Sequence, residues 1–256
     1  MRNLDKFREF LILKGFHRAT VDTYCSTVSV YLKQGYRLTS HELCRWKEEE
    51  MKRVAISTVA TRIHAMNKYS EFMKLDYKLL PIKFQVPVFV DSILTVHHYE
   101  KLLSGLKQSY PRWYCIARLL ATTGLRISEA IQVSKKDVEN GYSDILGKGS
   151  KTRRIWFTKS FVSDCLPLIE TDMVIFCSQR LVRAKLKRFA VLYHIPKEVM
   201  HPHEFRAFFA RQVYEKTKDI QLTKTLMGHS NINTTMRYLR KTSRSMERRI
   251  NSIITW

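Results

Sequence analysis

A chain of 256 residues, 45% hydrophobic and 27% charged, can bury one large core or two modest ones, which excludes disorder. Lys and Arg number 45 against 23 Asp and Glu, and the formal charge of +22 opposes compaction unless a polyanionic partner, nucleic acid first among them, offsets it. No apolar run approaches bilayer length, and the N-terminus mixes both signs of charge, so neither a membrane span nor a signal peptide is expected. The five cysteines (Cys25, Cys44, Cys115, Cys165, Cys177) are scattered, odd in number and without a CxxC pair. They read as buried free thiols of a reducing cytoplasm rather than a disulfide framework or a zinc site.

The surplus charge runs along the whole chain: residues 1–90 carry 16 basic and 9 acidic side chains, and the remainder 29 and 14. Helical periodicity predicts elements over 3–14 and 19–34, the second with Val21, Tyr24, Val28 and Tyr31 on one face. A polar helix is expected over about 41–52, and a fourth from Ser57 with a stripe of Val59, Ile63, Met66, Tyr69 and Phe72. Leu80–Val96, holding Pro81 and Pro87, loses the period and reads as a linker. Helices follow at 95–106 and 112–122, with Gly124 as C-cap, then a short one over Ile127–Val133. Tyr142–Leu146 and Arg153–Phe157 form a predicted β-hairpin about a Gly-Lys-Gly-Ser-Lys turn, and Met173–Phe176 is strand-like. From Arg180 the chain reads as helix, broken near Pro196–Pro202, Gly228 and Lys241. The expected fold is mainly α with a small antiparallel β-sheet: an N-terminal four-helix domain over 1–84, a linker over 85–94, and a second domain over 95–256 ending in a docking helix.

Six polar residues of the second domain stand out in order. Arg126 lies in TTGLRISEA, Lys148 in LGKGSKTRR, His203 and Arg206 in HPHEFRAFF, His229 in LMGHS and Tyr238 in NINTTMRYL. His203 and Arg206, three apart, share a helical face. Taken singly, each fits an ordinary surface, capping or core role; the ordered set suits phosphodiester exchange. Attack at phosphorus builds negative charge on the phosphoryl oxygens, which Arg126, Arg206 and His229 are suited to hold. A tyrosine, with an unperturbed pKa of about 10, needs a base or positive surroundings to act as a nucleophile. The leaving 5′ oxygen needs a proton, which a lysine on a flexible hairpin can deliver. Nothing in this scheme requires a metal or other cofactor.

These motifs resemble the successive signatures of the tyrosine recombinases, the phage integrase family, over residues 95–240 and more weakly through the N-terminal helices. The resemblance implies an N-terminal core-binding domain and a tyrosine-recombinase catalytic domain with Arg126, Lys148, His203, Arg206, His229 and Tyr238 as its active site. Tyr238 would form a 3′-phosphotyrosyl bond to DNA, Lys148 would act as general acid and His203 as acid/base, with the others clamping phosphate. Glu129 matches a supporting position. The family's usual His after the second Arg is here Ala207, a departure that bears on support of that helix. The chain resembles the compact Xer-like or transposon-type members, without the arm-binding domain of larger phage integrases.

The partners so implied are double-stranded DNA, a homo-tetramer on DNA through a Holliday junction, and an accessory recombinase or directionality factor. Integration, excision and resolution of DNA stay open as the biological role. A type IB topoisomerase shares the chemistry. A non-catalytic DNA-binding regulator would not need all six residues. An RNA-binding module lacks its aromatic strand motif or GXXG loop. A two-metal nuclease is disfavoured because only Glu247 is acidic after Asp219. Met246, Ile250, Ile253, Ile254 and Trp256 fall mainly on one face of the C-terminal segment, which needs a groove either on its own domain or, as the resemblance implies, on a neighbouring protomer.

Overall fold

The computed structural model describes residues 2–82, 92–147, 152–240 and 242–253. Its contacts divide the chain into two units, Met1–Val86 and Pro87–Trp256. The fold is mainly α with one antiparallel two-stranded sheet.

The first unit holds α1 (Arg2–Leu13), α2 (Arg18–Lys33), α3 (Ser40–Arg53) and α4 (Ile56–Phe72). Its core takes Phe7 and Leu11 from α1, Val21, Val28 and Tyr31 from α2, Leu43 and Trp46 from α3, and Val59, Ile63, Met66 and Tyr69 from α4. Each such large side chain contributes about 1.5–3 kcal/mol on leaving water. The stripe on α4 follows the expected period, although Phe72 at its end is only partly buried. On α2 the buried face includes Cys25, while Tyr24 is only partly covered. Asn67 donates to Leu79 O and accepts from Leu79 N, both at 2.8 Å, and so folds the outgoing chain back on α4.

The second unit is built round α6 (Pro111–Thr123), which buries Cys115, Ile116, Ala117, Leu119 and Leu120 on several sides at once. A helix apolar nearly all round must lie inside a domain. α5 (Val96–Ser109) and α11 (Pro202–Thr217) pack against it. After α6 come α7 (Ile127–Ala130), α8 (Lys135–Asn140), β1 (Tyr142–Leu146), β2 (Thr152–Trp156) and α9 (Lys159–Cys165). The chain continues through α10 (Gln179–Leu192), α11, α12 (Ile220–Met227), α13 (Ile232–Tyr238) and α14 (Ser243–Ile253). β1 and β2 pair in the register Tyr142↔Trp156 to Leu146↔Thr152, with Ser143, Ile145 and Ile155 buried.

Three expectations are corrected. Met173–Phe176 is not a strand. It makes an isolated bridge from Met173 to Ser134, and Val174 and Ile175 serve the core as irregular chain. The helix after Arg126 stops at Ala130 rather than Val133. Cys44 is exposed, because Leu43 and Trp46 occupy the core face of α3. α8 and α9, unanticipated, are short helices held by Ser134 and Thr158 as N-caps. Among the described residues no helix is long and apolar enough to cross a membrane.

Candidate active site

Gly124 ends α6 in the left-handed region at φ 61°, where a Cβ would fall 2.3 Å from the Phe209 ring. That turn delivers Arg126 to the start of α7 in extended conformation. Glu129, three residues on, reaches back to accept from Arg126 N at 2.9 Å and from Arg126 Nη1 at 2.7 Å. The carboxylate is buried, and it also meets Arg153 Nη2 at 3.0 Å and Arg206 Nη1 at 3.6 Å. Burial raises its pKa, but the Arg126 amide, the Arg126 guanidinium and Arg153 outweigh that and hold it below the ordinary range.

His201 caps α11 by accepting from Glu204 N at 3.2 Å, and Pro202 occupies the first turn. The helix so begun presents His203 and Arg206 on one side. Arg206 is 1% exposed and donates from Nη1 to Gly124 O at 2.5 Å and from Nη2 to Met227 O at 2.6 Å. These two carbonyls close the ends of α6 and α12, so one side chain joins both turns to α11. Burial, then the charge of Arg126, pushes its pKa down to about 10, leaving it charged at neutral pH.

α12 ends at Gly228, φ 63°, and His229 follows. His229 Nε2 lies 2.9 Å from Arg206 Nη2, and Nδ1 lies 2.9 Å from Thr235 Oγ1. A guanidinium only donates, so Nε2 accepts and the ring proton sits on Nδ1, directed at Thr235. Burial, Arg206 and Arg126 lower the pKa of His229 to about 4, which keeps the ring neutral in that tautomer. Asn231 caps α13, whose last residue is Tyr238.

The Tyr238 ring lies 5.0 Å from the His203 ring and 5.3 Å from the His229 ring, with the Arg206 guanidinium carbon 5.8 Å from its centre. His203 is exposed to solvent, with its ring between those of His201 and Tyr238 at 6.3 and 5.0 Å. Desolvation, then His201, lowers its pKa, against the pull of Glu204, so it too is neutral at pH 7.

The surface here consists of three adjoining clefts. One of about 440 Å³ is lined by Arg126, Thr152, Arg153 and His229; one of about 520 Å³ by Arg126, Arg183, Lys187, His203 and Arg206. A third of about 340 Å³ holds His203, Ala207 and Tyr238. Arg126 is common to the first two and His203 to the last two, so five of the six expected residues line or underlie one continuous open surface. Lys148 lies outside the described residues. Sequence reasoning missed Arg153, the Arg183/Lys187 pair on α10 and Thr235. Only the basic pair left a usable signal, the four-residue spacing that puts both on one helical face.

The chain is similar to known proteins over most of its length. The Phage integrase family model matches residues 92–244. The tyrosine recombinase XerA of Pyrococcus furiosus is 26% identical over 261 residues, covering 95% of this chain and 91% of that protein. A lambda integrase tetramer bound to a Holliday junction superposes with a TM-score of 0.74 at 17% identity, over 93% of this chain and 76% of the other. The Tn1549 transposon integrase in complex with transposon right end DNA gives 0.73 at 16% identity, over 99% of both chains. The chain belongs to the phage integrase family, as a Xer-like tyrosine recombinase. Its activity is site-specific DNA recombination.

Proposed function

We propose that Tyr238 is the nucleophile of this recombinase, and that Arg126, Arg206 and His229 form the phosphate clamp around it. The observation that carries this reading is the Tyr238 ring lying beside both histidine rings and the Arg206 guanidinium, next to clefts lined by Arg126. The Tyr238 oxygen attacks phosphorus and gives its proton to neutral His203. The bond from phosphorus to the 5′ oxygen breaks, and Lys148 protonates that oxygen. The product is a 3′-phosphotyrosyl bond and a free 5′-hydroxyl. Attack by the 5′-hydroxyl of a second duplex reverses the sequence and gives a Holliday junction. His229 serves the clamp through Arg206: its tautomer is committed between Arg206 and Thr235, so it fixes the guanidinium in place rather than transferring a proton.

The surplus of positive charge supplies general affinity for duplex DNA. The N-terminal helices, residues 1–84, act as the core-binding domain, with 85–94 as linker and 95–256 as the catalytic domain. The working form is a tetramer on DNA in the cytoplasm. An accessory recombinase or a directionality factor joins it where the reaction needs a direction.

Incubation with a library of nicked short duplexes, denaturation and sequencing of the attached DNA tests the reading and yields a substrate. Tyr238→Phe should abolish the adduct and leave DNA affinity nearly unchanged, since basic residues elsewhere supply binding. An adduct surviving in the Phe variant would sink the assignment.

A further inference from the structure

Strand β2 alternates its faces: Arg154 pairs with exposed Asp144, while Arg153 and Ile155 point toward the body of the unit. The Arg153 side chain is 17% exposed and donates to Glu129 Oε2 at 3.0 Å. On its other side it lies over Gly228, where a Cβ would fall 2.2 Å from Arg153 Nη1 and 2.8 Å from its Cδ. One guanidinium therefore stands between the hairpin, the carboxylate under Arg126, and the turn that leads into His229.

Charge balance does not explain it. Glu129 is already served by Arg126 and Arg206, so a third cation adds repulsion. Nor does hydrogen bonding, because Arg153 Nε is buried without an acceptor among the described residues. An orphaned buried donor costs about 1–3 kcal/mol, a sacrifice that has its place at a working site. The hairpin explains it better. Gly147 and Thr152, which bracket the segment bearing Lys148, line the same cleft as Arg126 and His229. Arg153 is the first residue after that bracket.

We propose that Arg153 is a positioning residue for strand cleavage, which locks the hairpin bearing Lys148 to Glu129 and to the Gly228–His229 turn, so that acid and phosphate clamp share one frame. The proposal rests on the reading of Lys148 as the general acid.

A double-mutant cycle on single-turnover cleavage tests it, with a nicked duplex captured from the library as substrate. Lys148→Ala should slow cleavage about a hundredfold or more, and Arg153→Gln about tenfold or more. The double variant should be no slower than Lys148→Ala alone, because residues acting through one another are not additive. Multiplying effects, or Arg153→Gln cleaving at the full rate, would overturn the proposal. The acid reading is tested separately on Lys148→Ala with a 5′-phosphorothiolate leaving group. Absence of rescue there would fail that reading, while the cycle would still report whether Arg153 acts through the hairpin. Thermal melting accompanies each variant, and if Arg153→Gln is unfolded, Arg153→Lys, which keeps the charge but not the forked reach, takes its place in the cycle.

Discussion

Glu129→Gln isolates the charge that holds the candidate site together, because it changes neither size nor backbone. The carboxylate lies 2.7 Å from Arg126, 3.0 Å from Arg153 and 3.6 Å from Arg206, and is 3% exposed. Unit charges about 4 Å apart attract by about 4 kcal/mol at the effective dielectric of a protein. Desolvation of a buried carboxylate offsets several kcal/mol of that. Breaking such a buried pair costs about 3–5 kcal/mol net, which for a unit the size of Pro87–Trp256 lowers Tm by roughly 6–20 °C. The pH dependence carries a second signature. Glu129 has a depressed pKa when folded, so its stabilisation is present above the ordinary value of about 4.3 and is lost as pH falls through the lower folded value. The Gln variant should lose that part of the acid limb. Sulfate should recover more of the loss in the variant than in the parent, because an anion can take the place of the missing charge. The assay is calorimetric melting at low salt from pH 3 to 8, with and without sulfate. A variant melting within about 2 °C of the parent at pH 7, with an unchanged acid slope, would show that Glu129 does not organise the three arginines.

The remaining predictions are more direct. Lys148→Ala should slow cleavage by about a hundredfold or more, and a 5′-phosphorothiolate substrate should largely restore it; equal slowing on both substrates would demote Lys148 to a phosphate contact. His229→Asn should flatten the stability profile between pH 6.5 and 4. A neutral buried histidine with a folded pKa of about 4 loses stability as pH falls below its unfolded value of about 6.5 and no further below the folded one, at most about 3 kcal/mol. A parent profile that is flat in that window refutes the buried neutral ring. Truncation after Lys241 removes α14, whose Ile250 is 48% exposed. It should spare binding of one protomer to a half-site and remove cooperative assembly on a full site, read by gel shift; unchanged cooperativity would rule out exchange of the tail between protomers.

The elements that were legible in the sequence are those that local chemistry alone determines. Three of the four N-terminal helices announce themselves through apolar period, α3 reading only as a polar helix, and the buried faces of α2 and α4 follow the expected stripes except that Cys25 is buried and Tyr24 and Phe72 are only partly so. Four of the candidate residues stand beside a local punctuation mark: Gly124 before Arg126, Pro202 before His203, Gly228 before His229 and Asn231 before the helix of Tyr238. α8 was missed although Ser134 and Asp137 form a reciprocal cap at the spacing that signals one. α9, held by Thr158, gave only a single capping hydroxyl. Met173–Phe176 misled because a short apolar run fits a strand or buried loop equally, and only the absence of a long partner decides. What no local pattern could supply is convergence. Arg153 and Arg206 meet on Glu129 from 24 and 77 residues away, and Thr235 reaches His229 only because α13 folds back.

That convergence also explains why so basic a chain concentrates repulsion where it does. Three guanidiniums face one carboxylate, and the histidine beside them is held neutral, so the site keeps positive charge in excess before any substrate arrives. Arg183 and Lys187 extend that excess along the adjoining cleft, and Arg237 and Arg240 line the cleft beside Tyr238. A bound phosphodiester brings one negative charge and relieves part of the repulsion. The pentavalent transition state spreads more negative charge over its equatorial oxygens and relieves more of it. Interactions that strengthen only as charge develops lower the barrier, whereas those equal in both states do not. Glu129 sets the balance: without it the arginines repel one another apart, and with a second carboxylate only one positive charge in excess would remain to meet the phosphate.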